Sequence, residues 1–484
     1  MRPRVATALR GTLAVGAVAA VLSGAGQLPD EIAVGSTVAA AARPAPAVVP
    51  ARQVLLACPG PETQGVTGVP PVVGTSTMTA VTAPEQALAV RGSEPGELTL
   101  TVAGTPAGAA TERGRPVTAP LAGPVVGQVV ARGALAPGTA ALQTSLVGDG
   151  PDRGLGATPC LTPRAEAWLL AGGSETTRRE RLLVANPGAN AVTVDVEVFG
   201  AKGRLPVSGG ARVAVPPHGR VAMLLDGIAP QDAAPMVHVV ATGGQISAVL
   251  EDGWIEGTTS RGRDDATTSE PPSTLQVVPI AVLSGAGRVR IAVPGDGEAV
   301  VQLSVLTPEG PTPLPADSVV RVPARTTRDV TLNGIPAGAY AVQVRADRPV
   351  VSAVLVERRA AGVPSDLAWI GSAAPLGALG GTPLPAGTRS TLVVTGAATS
   401  WSATVHVVGA TGAPSSQRVS GAADAAVAVD LGDAAAVWVA PDSSQVRAGV
   451  SVEAGGSAGP LLSAWALPPA VLTTTDVPVA EVRR

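Results

Sequence analysis

Histidine, the residue type that most often supplies general bases and zinc ligands, occurs three times, as His218, His238 and His406. His218 lies in a Pro-Pro-His-Gly turn, and the other two lie in separate apolar strand patterns. Their spacing does not suit a zinc site, and the sequence contains no His-Glu-x-x-His or Walker-type phosphate motif. We therefore predict no catalytic residue, no metal site and no cofactor.

The densest group of carboxylate and hydroxyl oxygens is GRDDATTSEPP at residues 262–272. Asp264, Asp265 and Glu270 in this segment belong to the residue types that bind calcium through carboxylate oxygens. The segment also lies between two copies of a repeated strand pattern, where a solvated linker is the simpler interpretation. We therefore predict an exposed linker here, which a protease would cut first in the folded protein.

Four of the six tryptophans fall near the ends of the repeated segments: Trp168, Trp254, Trp369 and Trp465. An exposed tryptophan can stack on a sugar ring or anchor a protein partner, whereas a buried one can fill the space between successive domains. Carbohydrate-binding surfaces usually cluster several aromatic residues, and this chain has one Tyr and one Phe. We therefore prefer packing between domains and keep an interaction surface as the alternative.

The two cysteines of the chain are Cys58 and Cys160. Outside the cytoplasm an isolated pair most simply forms one disulfide, which here would join the start of the front domain to its end. The segment LLAC at 55–58 also resembles a lipoprotein acylation site, but Pro50 and Arg52 separate it from the apolar run that such a site follows directly. We therefore predict a disulfide between Cys58 and Cys160.

Part of the chain is duplicated. RLLVANPGANAVTVDVEVFGAKG at 181–203 aligns without a gap with RVRIAVPGDGEAVVQLSVLTPEG at 288–310. In the same register, LLDGI at 224–228 matches TLNGI at 331–335. A register held over tens of residues indicates a duplicated domain. Fainter copies contain ATVHVVGATG at 403–412 and, at the front, LLACPG at 55–60 with ELTLTVAG at 97–104.

Within each copy apolar residues alternate with polar ones. Val194, Val196 and Val198 share one face of a predicted strand, and Asp195 and Glu197 share the other. This alternation is typical of an antiparallel strand with one face on a core. The Asp-Gly and Asn-Gly pairs of LLDGI and TLNGI predict hairpin turns. Units of this size with many short strands predict an all-β fold of tandem immunoglobulin-like β-sandwich modules.

The composition agrees with such a fold. Of 484 residues 45% are hydrophobic but only 2% are aromatic, so the cores must consist of Val, Ala and Leu. The 58 Gly and 46 Pro supply the turns that many short strands need. A net charge of −3 provides no basic surface for nucleic acid.

The N-terminus resembles an export signal. Arg2, Arg4 and Arg10 precede the charge-free apolar run at 11–26, which is short for a membrane span. Cleavage of this segment is the preferred prediction, and an uncleaved membrane anchor is the alternative. The predicted organisation is a signal peptide or anchor at 1–32, an Ala/Pro linker at 33–50, a divergent β-sandwich module at 51–163, β-sandwich modules at 164–269, 274–371 and 385–470, and a polar tail at 471–484.

Several motifs together resemble an actinobacterial family of exported all-β proteins of unknown function. They are the basic-apolar start, LLACPGP after an Ala/Pro linker, AWLLAGG at 167–173 before RLLVANPG, and the VSAVLVE-type strand that closes each unit. The resemblance implies a secreted or envelope location and supplies no catalytic residues. Genes of that family often neighbour glycosyltransferase genes, which favours a role in envelope glycan or surface assembly.

We accordingly predict a non-catalytic exported protein that acts as a structural or interaction module of the cell envelope. The alternatives are a glycan-binding accessory protein of envelope polysaccharide assembly and an enzyme with an unrecognised site. The expected partner is an envelope protein or a glycan, and nucleic acid is not expected. Contact with the membrane would occur only through an uncleaved N-terminal segment. This prediction rests on the observation that the duplicated segments repeat the core and turn residues but not the polar residues of the solvent face.

Overall fold

The computed structural model describes residues 47–62, 74–284, 287–359, 362–456 and 458–476. One compact unit, Val49–Thr474, contains all the sandwiches described below. The predicted export signal lies outside the described residues, as do most of the predicted linker and part of the tail. Within the described part of the chain, no helix is long and apolar enough to cross a bilayer.

Nearly all regular structure is β. The first group of strands is β1 (Ala47–Pro50), β2 (Gln53–Cys58), β3 (Thr75–Thr82), β4 (Glu97–Val102), β5 (Thr105–Ala110), β6 (Val117–Pro120), β7 (Gly127–Arg132), β8 (Thr139–Val147) and β9 (Gly154–Pro159). The second is β10 (Glu166–Leu170), β11 (Arg178–Asn186), β12 (Val192–Gly200), β13 (Gly203–Leu205), β14 (Val213–Val215), β15 (Gly219–Leu224), the short helix α1 (Leu225–Ile228), β16 (Met236–Thr242), β17 (Ser247–Glu256) and β18 (Thr259–Thr267).

The second half of the chain continues the pattern. The third group is β19 (Ser273–Leu283), β20 (Gly287–Ala292), β21 (Ala299–Thr307), β22 (Gly310–Pro313), β23 (Val319–Val322), β24 (Thr327–Thr331), β25 (Gly338–Arg358) and β26 (Asp366–Gly371). The fourth is β27 (Gly380–Pro383), β28 (Arg389–Gly396), β29 (Trp401–Val408), β30 (Pro414–Gly421), β31 (Ala426–Gly432), β32 (Ala436–Pro441), β33 (Val446–Gly456), β34 (Gly459–Ala466) and β35 (Thr473–Asp476). Short 3-10 turns occur at Glu85–Ala87 and Gly133–Leu135.

The four groups are four sandwiches with one strand order. In the first sandwich the two sheets run β2-β7-β4-β5 and β6-β3-β8-β9, and in the fourth they run β27-β32-β29-β30 and β31-β28-β33-β34. The second has β10-β16-β12-β13 and β15-β11-β17-β18. In the third, the long strand β25 takes part in both sheets. The all-β sandwich prediction is therefore confirmed, and the divergent front segment has the same topology as the others.

The alternating residues lie as the sequence predicts, but two local predictions are wrong. Val194, Val196 and Val198 of β12 are buried. Neither LLDGI nor TLNGI is a hairpin turn. Leu225–Ile228 is helical and connects β15 in one sheet to β16 in the other, and residues 332–337 connect β24 to the part of β25 that lies in the opposite sheet. LLACPG of the front segment lies on β2, an outer strand that corresponds to β10 and not to β11, because the duplicated core strand of the first sandwich is β3.

The last strand of each sandwich meets its counterparts in a closed ring. We call β9, β18, β26 and β34 the closing strands. Strand β9 contacts β18, β18 contacts β26, β26 contacts β34, and β34 returns to β9. Each is an edge strand of its own sheet, and edge strands with free backbone groups favour aggregation. Mutual burial of the four edges removes that hazard and makes the sandwiches one body.

The interfaces around the ring are equivalent. The first strand of one sandwich contacts the long strand before the closing strand of the next: β10 contacts β25, β19 contacts β33, and β27 contacts β8. Between the first and second sandwiches, Ser247 Oγ of β17 donates a hydrogen bond to the Ala57 carbonyl of β2. Continuous apolar clusters join the second to the third, the third to the fourth and the fourth to the first sandwich.

Asp366, at the start of β26, is hydrogen-bonded to all four sandwiches. Its Oδ2 accepts the backbone N–H of Leu155 in the first sandwich and of Leu462 in the fourth, each at 3.0 Å. Its Oδ1 accepts the N–H of Arg263 in the second sandwich at 3.3 Å and of Leu367 in its own at 3.0 Å. One buried carboxylate thus satisfies backbone donors from every member of the ring.

The segment 262–272 is not the solvated linker that its composition predicts. Residues 262–267 belong to β18, and Asp264 and Asp265 are buried. Asp264 Oδ2 accepts a hydrogen bond from the backbone N–H of Trp369 in β26 at 2.7 Å. The acidic residues serve contacts between closing strands, which the local sequence does not reveal. Early proteolysis at this position is therefore no longer expected.

Candidate functional site

A cleft with a volume of about 490 Å³ lies between the first and second sandwiches, and we call it the polar cleft. Its charged lining residues are Glu62, Asp152, Arg181, Glu251 and Arg263. Hydroxyl groups come from Thr75, Ser76, Thr77 and Ser145, and apolar walls come from Pro61, Pro120, Leu121 and Val147. The volume and the mixture of apolar walls with a few polar groups are those of a small-molecule site.

Strand pairing places Glu251 at the centre of the charged side. In the second sandwich Glu251 of β17 lies opposite Arg181 of β11 and opposite Asp265 of β18. Glu251 Oε1 is 3.2 Å from Arg181 Nη1 and 3.4 Å from Arg263 Nε. The antiparallel register therefore brings two guanidinium groups to one carboxylate oxygen.

A second charged pair joins the first sandwich to the second. Arg220 Nη2 donates to Glu62 Oε2 at 2.8 Å, and Nη1 of the same arginine donates to the carbonyls of Pro59 and Gly60 at 3.1 and 3.0 Å. Arg263 Nη2 donates to the Glu62 carbonyl at 3.0 Å. Two arginines of the second sandwich thus fix the segment of the first that forms one wall of the polar cleft.

Glu251 has one oxygen without a partner. Its residue is 4% exposed, and among the described residues Oε2 makes no hydrogen bond. Burial raises the pKa of Glu251 to about 7. The negative charges of Asp265 and Glu62 raise this pKa further, and the positive charges of Arg263 and Arg181 lower it only in part. A buried oxygen without a hydrogen-bond partner lowers the stability of the folded state.

The polar cleft could perform limited chemistry. A carboxyl group with a pKa near neutrality can transfer a proton. The described lining residues include no His and no Cys, so any acid–base or nucleophilic step would depend on carboxyl and hydroxyl groups. The arrangement is better suited to holding a ligand than to activating a nucleophile.

Raising the pH from 5 to 8 is expected to lower the melting temperature by several degrees. Burial raises the pKa of Glu180, Glu251 and Asp366 to about 7 each, whereas the unfolded chain loses these protons near pH 4. Between about pH 4 and pH 7 the folded state binds more protons than the unfolded chain does. The free energy of unfolding therefore falls as the pH rises through 7. Thermal melts at constant ionic strength measure the slope. Glu180→Gln should flatten it, and a melting temperature that rises with pH would contradict the assignment.

The four predicted tryptophan sites differ in environment. Trp168, Trp369 and Trp465 are 7%, 1% and 2% exposed, so none offers a face for stacking on a sugar. Trp168 stacks on His238 with ring centroids 3.7 Å apart. Trp465 packs in the apolar cluster shared by the fourth and first sandwiches. Trp254 is half-buried, with Arg178 and Arg359 at 5.4 and 5.8 Å from its ring.

Trp369 belongs to a buried charged network between the second and third sandwiches. Its Nε1 donates to Asp252 Oδ2 at 2.7 Å, and Asp252 also accepts a bidentate pair of hydrogen bonds from Arg178. Arg290 lies over the Trp369 ring at 4.6 Å. The guanidinium of Arg290 donates to four carbonyls of the second sandwich and bidentately to Asp329.

The sequence did not predict a role for these charged residues. Arg290 and Glu251 each directly adjoin apolar core residues, in RVRIA and AVLED. A charge inside such a run is the only local signal, and it does not name the partner. The duplication does not point to Arg290 or Glu251 either, because the aligned positions are Leu183 and Val356.

The two cysteines form the predicted disulfide. Cys58 ends β2 and Cys160 follows β9, at a sequence separation of 102. The bond joins the two sheets of the first sandwich. A disulfide that spans a whole domain is typical of exported proteins.

The histidines do not form a common site. His218 Nδ1 lies 3.1 Å from Gln128 Nε2, His238 lies between Glu166 and Glu197 at 2.7 and 3.2 Å, and His406 is on β29 of the fourth sandwich. Within the described ranges, no group of three His, Cys, Asp or Glu side chains could hold a metal ion.

Comparison with known proteins places the chain in a family. A solved chain titled "Crystal structure of tetra-tandem repeat in extending region of large adhesion protein" is 13% identical, and the match covers 81% of this chain and 99% of that chain. The TM-score is 0.10, which does not establish a common fold. No curated protein matches. A family described as "Family of unknown function (DUF5719)" matches residues 117–432, a span from the first sandwich into the fourth. The chain therefore belongs to the DUF5719 family.

Proposed function

We propose that this protein is a non-catalytic, exported structural or interaction module of the cell envelope. The observation that supports it is the use made of buried charge in the closed ring. Asp366, Arg290 and Arg153 all bind backbone groups of other sandwiches. These charged side chains hold the four sandwiches together and are therefore occupied by structural contacts.

The disulfide supports the exported location. Cys58 and Cys160 are joined, and disulfides form and persist in oxidising compartments outside the cytoplasm. The ring also covers the edges of the four closing strands, which could otherwise pair with strands of other chains.

The two alternative functions are a glycan-binding accessory role and an enzymatic role. A glycan-binding accessory role no longer draws on Trp168, Trp369 or Trp465, whose rings are buried. An enzymatic role would draw on Glu251, whose pKa is raised to about 7 in the polar cleft. Both depend on what the polar cleft accepts, and neither is needed for the scaffold role.

Fractionation of cells that produce the full-length chain tests the proposal. We expect the protein outside the cytoplasm with Cys58 and Cys160 joined, and we expect it to sediment with purified cell envelope from the same cells. Non-reducing mass spectrometry and immunoblotting measure these two properties. Recovery from the cytoplasm with free thiols would overturn the export proposal, and failure to sediment with the envelope would overturn the interaction proposal.

A further inference from the structure

The chain contains three asparagines, Asn186, Asn190 and Asn333, and each is followed by a different residue type. The backbone nitrogen of the next residue can attack the side-chain amide of an asparagine, which closes a five-membered succinimide ring and releases ammonia. The reaction needs an N–H on the next residue, little steric hindrance there and a side chain that is free to turn. Glycine, which has no Cβ, hinders the attack least, and only Asn333 is followed by glycine.

The surroundings of Asn333 leave both reacting groups accessible. Asn333 and Gly334 are exposed and lie in the connection between β24 and β25 of the third sandwich. Among the described residues, none hydrogen-bonds to the Asn333 amide, and the Gly334 N–H donates to no backbone carbonyl. Gly334 has a φ of 81°, and the atom nearest to the position that a Cβ would occupy is in Pro315, at 3.5 Å.

The other two asparagines lack these conditions. Asn186 is buried, and its Nδ2 donates to three backbone carbonyls at 2.7, 3.1 and 3.1 Å. The next residue is Pro187, which has no backbone N–H to lose. Asn190 is exposed, but the Cβ of Ala191 hinders the approach of the backbone nitrogen. The chain therefore contains its own comparison sites.

The duplicated position in the second sandwich already carries an acid. LLDGI at 224–228 aligns with TLNGI at 331–335, so Asp226 occupies the position of Asn333. Both segments connect one sheet of a sandwich to the other. A carboxylate at this point is therefore compatible with the architecture of the domain, and conversion of Asn333 to an acid need not unfold it.

We propose that Asn333 is a site of spontaneous covalent modification, at which the folded protein converts the side-chain amide to aspartate and isoaspartate. The Gly334 nitrogen bonds to Cγ of Asn333 and loses its proton, and Nδ2 leaves as ammonia. Water then opens the ring. Cleavage of the bond between Cγ and nitrogen gives aspartate, and cleavage of the bond between the backbone carbonyl carbon and nitrogen gives isoaspartate. Either product adds one negative charge to the net charge of −3.

Ageing of the purified full-length protein at neutral pH and physiological temperature tests the site. Trypsin releases Asn333 in the peptide 329–345, and it releases Asn186 and Asn190 together in the peptide 182–202. Mass spectrometry therefore follows all three asparagines in one digest. We expect the first peptide to gain the mass difference between an amide and an acid at least tenfold faster than the second. Electron-transfer dissociation should place the change at residue 333 and detect isoaspartate there, and ageing in isotopically labelled water should leave the label in the product.

Two variants separate this site from general ageing of the chain. Asn333→Gln should abolish the change in peptide 329–345, because glutamine would have to close a less favourable six-membered ring. Ala191→Gly gives the exposed Asn190 a following glycine, and it should raise the conversion rate at Asn190 tenfold or more. Thermal melts verify that both variants are folded.

Three results would overturn the inference. The first is an intact Asn333 in the folded protein after a time in which a synthetic peptide of residues 329–345 has been converted. The second is conversion at equal rates at Asn333 and Asn190 in the unsubstituted chain. The third is an unchanged rate at Asn190 in Ala191→Gly, which would show that the following glycine does not select the site.

Discussion

Asp366→Ala is expected to lower the free energy of unfolding of the entire ring by about 4 kcal/mol or more, because an unsatisfied buried donor costs about 1–3 kcal/mol. Four backbone N–H groups, one from each sandwich, lose their acceptor at once. Since these groups belong to all closing strands, the loss should appear in every sandwich and not only in the third. Denaturant unfolding followed by tryptophan fluorescence and circular dichroism measures it.

Two further variants make the result on Asp366 interpretable. Asp366→Asn keeps the shape but turns an amide N–H₂ toward backbone donors, so it should cost less than alanine while remaining destabilising. Asp296→Ala removes an exposed carboxylate paired with Arg325 in the same sandwich, and such surface pairs contribute about 0–1 kcal/mol. An unchanged denaturation midpoint for Asp366→Ala would show that the ring does not depend on this residue.

Arg290→Met is expected to cost about 3–5 kcal/mol, the usual loss when one partner of a buried ion pair is removed. Arg290 is completely buried, and Asp329 would remain without its bidentate donor. The carbonyls of Ala171, Gly172, Ala233 and Pro235 would lose their donors as well. Methionine fills much of the volume, so the loss measures hydrogen bonds and charge more than a cavity.

The position of the damage distinguishes this interface from the others. All four carbonyls lie in the second sandwich, so the boundary between the second and third sandwiches should open first under limited proteolysis. Arg290→Lys keeps the charge but cannot reach all the acceptors, and it should restore part of the stability. Arg321→Met, which breaks an exposed pair with Glu298, serves as the control. Equal stability of Arg290→Met and Arg321→Met would contradict the role assigned to Arg290.

The sequence by itself determined the content of each sandwich. Alternation at Val194, Val196 and Val198 requires a strand with one buried face, because side chains on a strand point to opposite sides in turn. The duplicated segments required equivalent domains, and the isolated cysteines required one bond. These conclusions depend on local periodicity or on counting, which a sequence records directly.

The tertiary structure alone decided how the sandwiches combine. Asp264 and Asp265 look like linker residues because solvated loops and buried contact strands can have the same composition, and only contact with β26 and β9 distinguishes them. Asp366 acquires its role from backbone groups 211 and 96 residues away, in the first and fourth sandwiches. Contacts of this kind follow no period, since each occurs once, so no pattern along the chain could predict them.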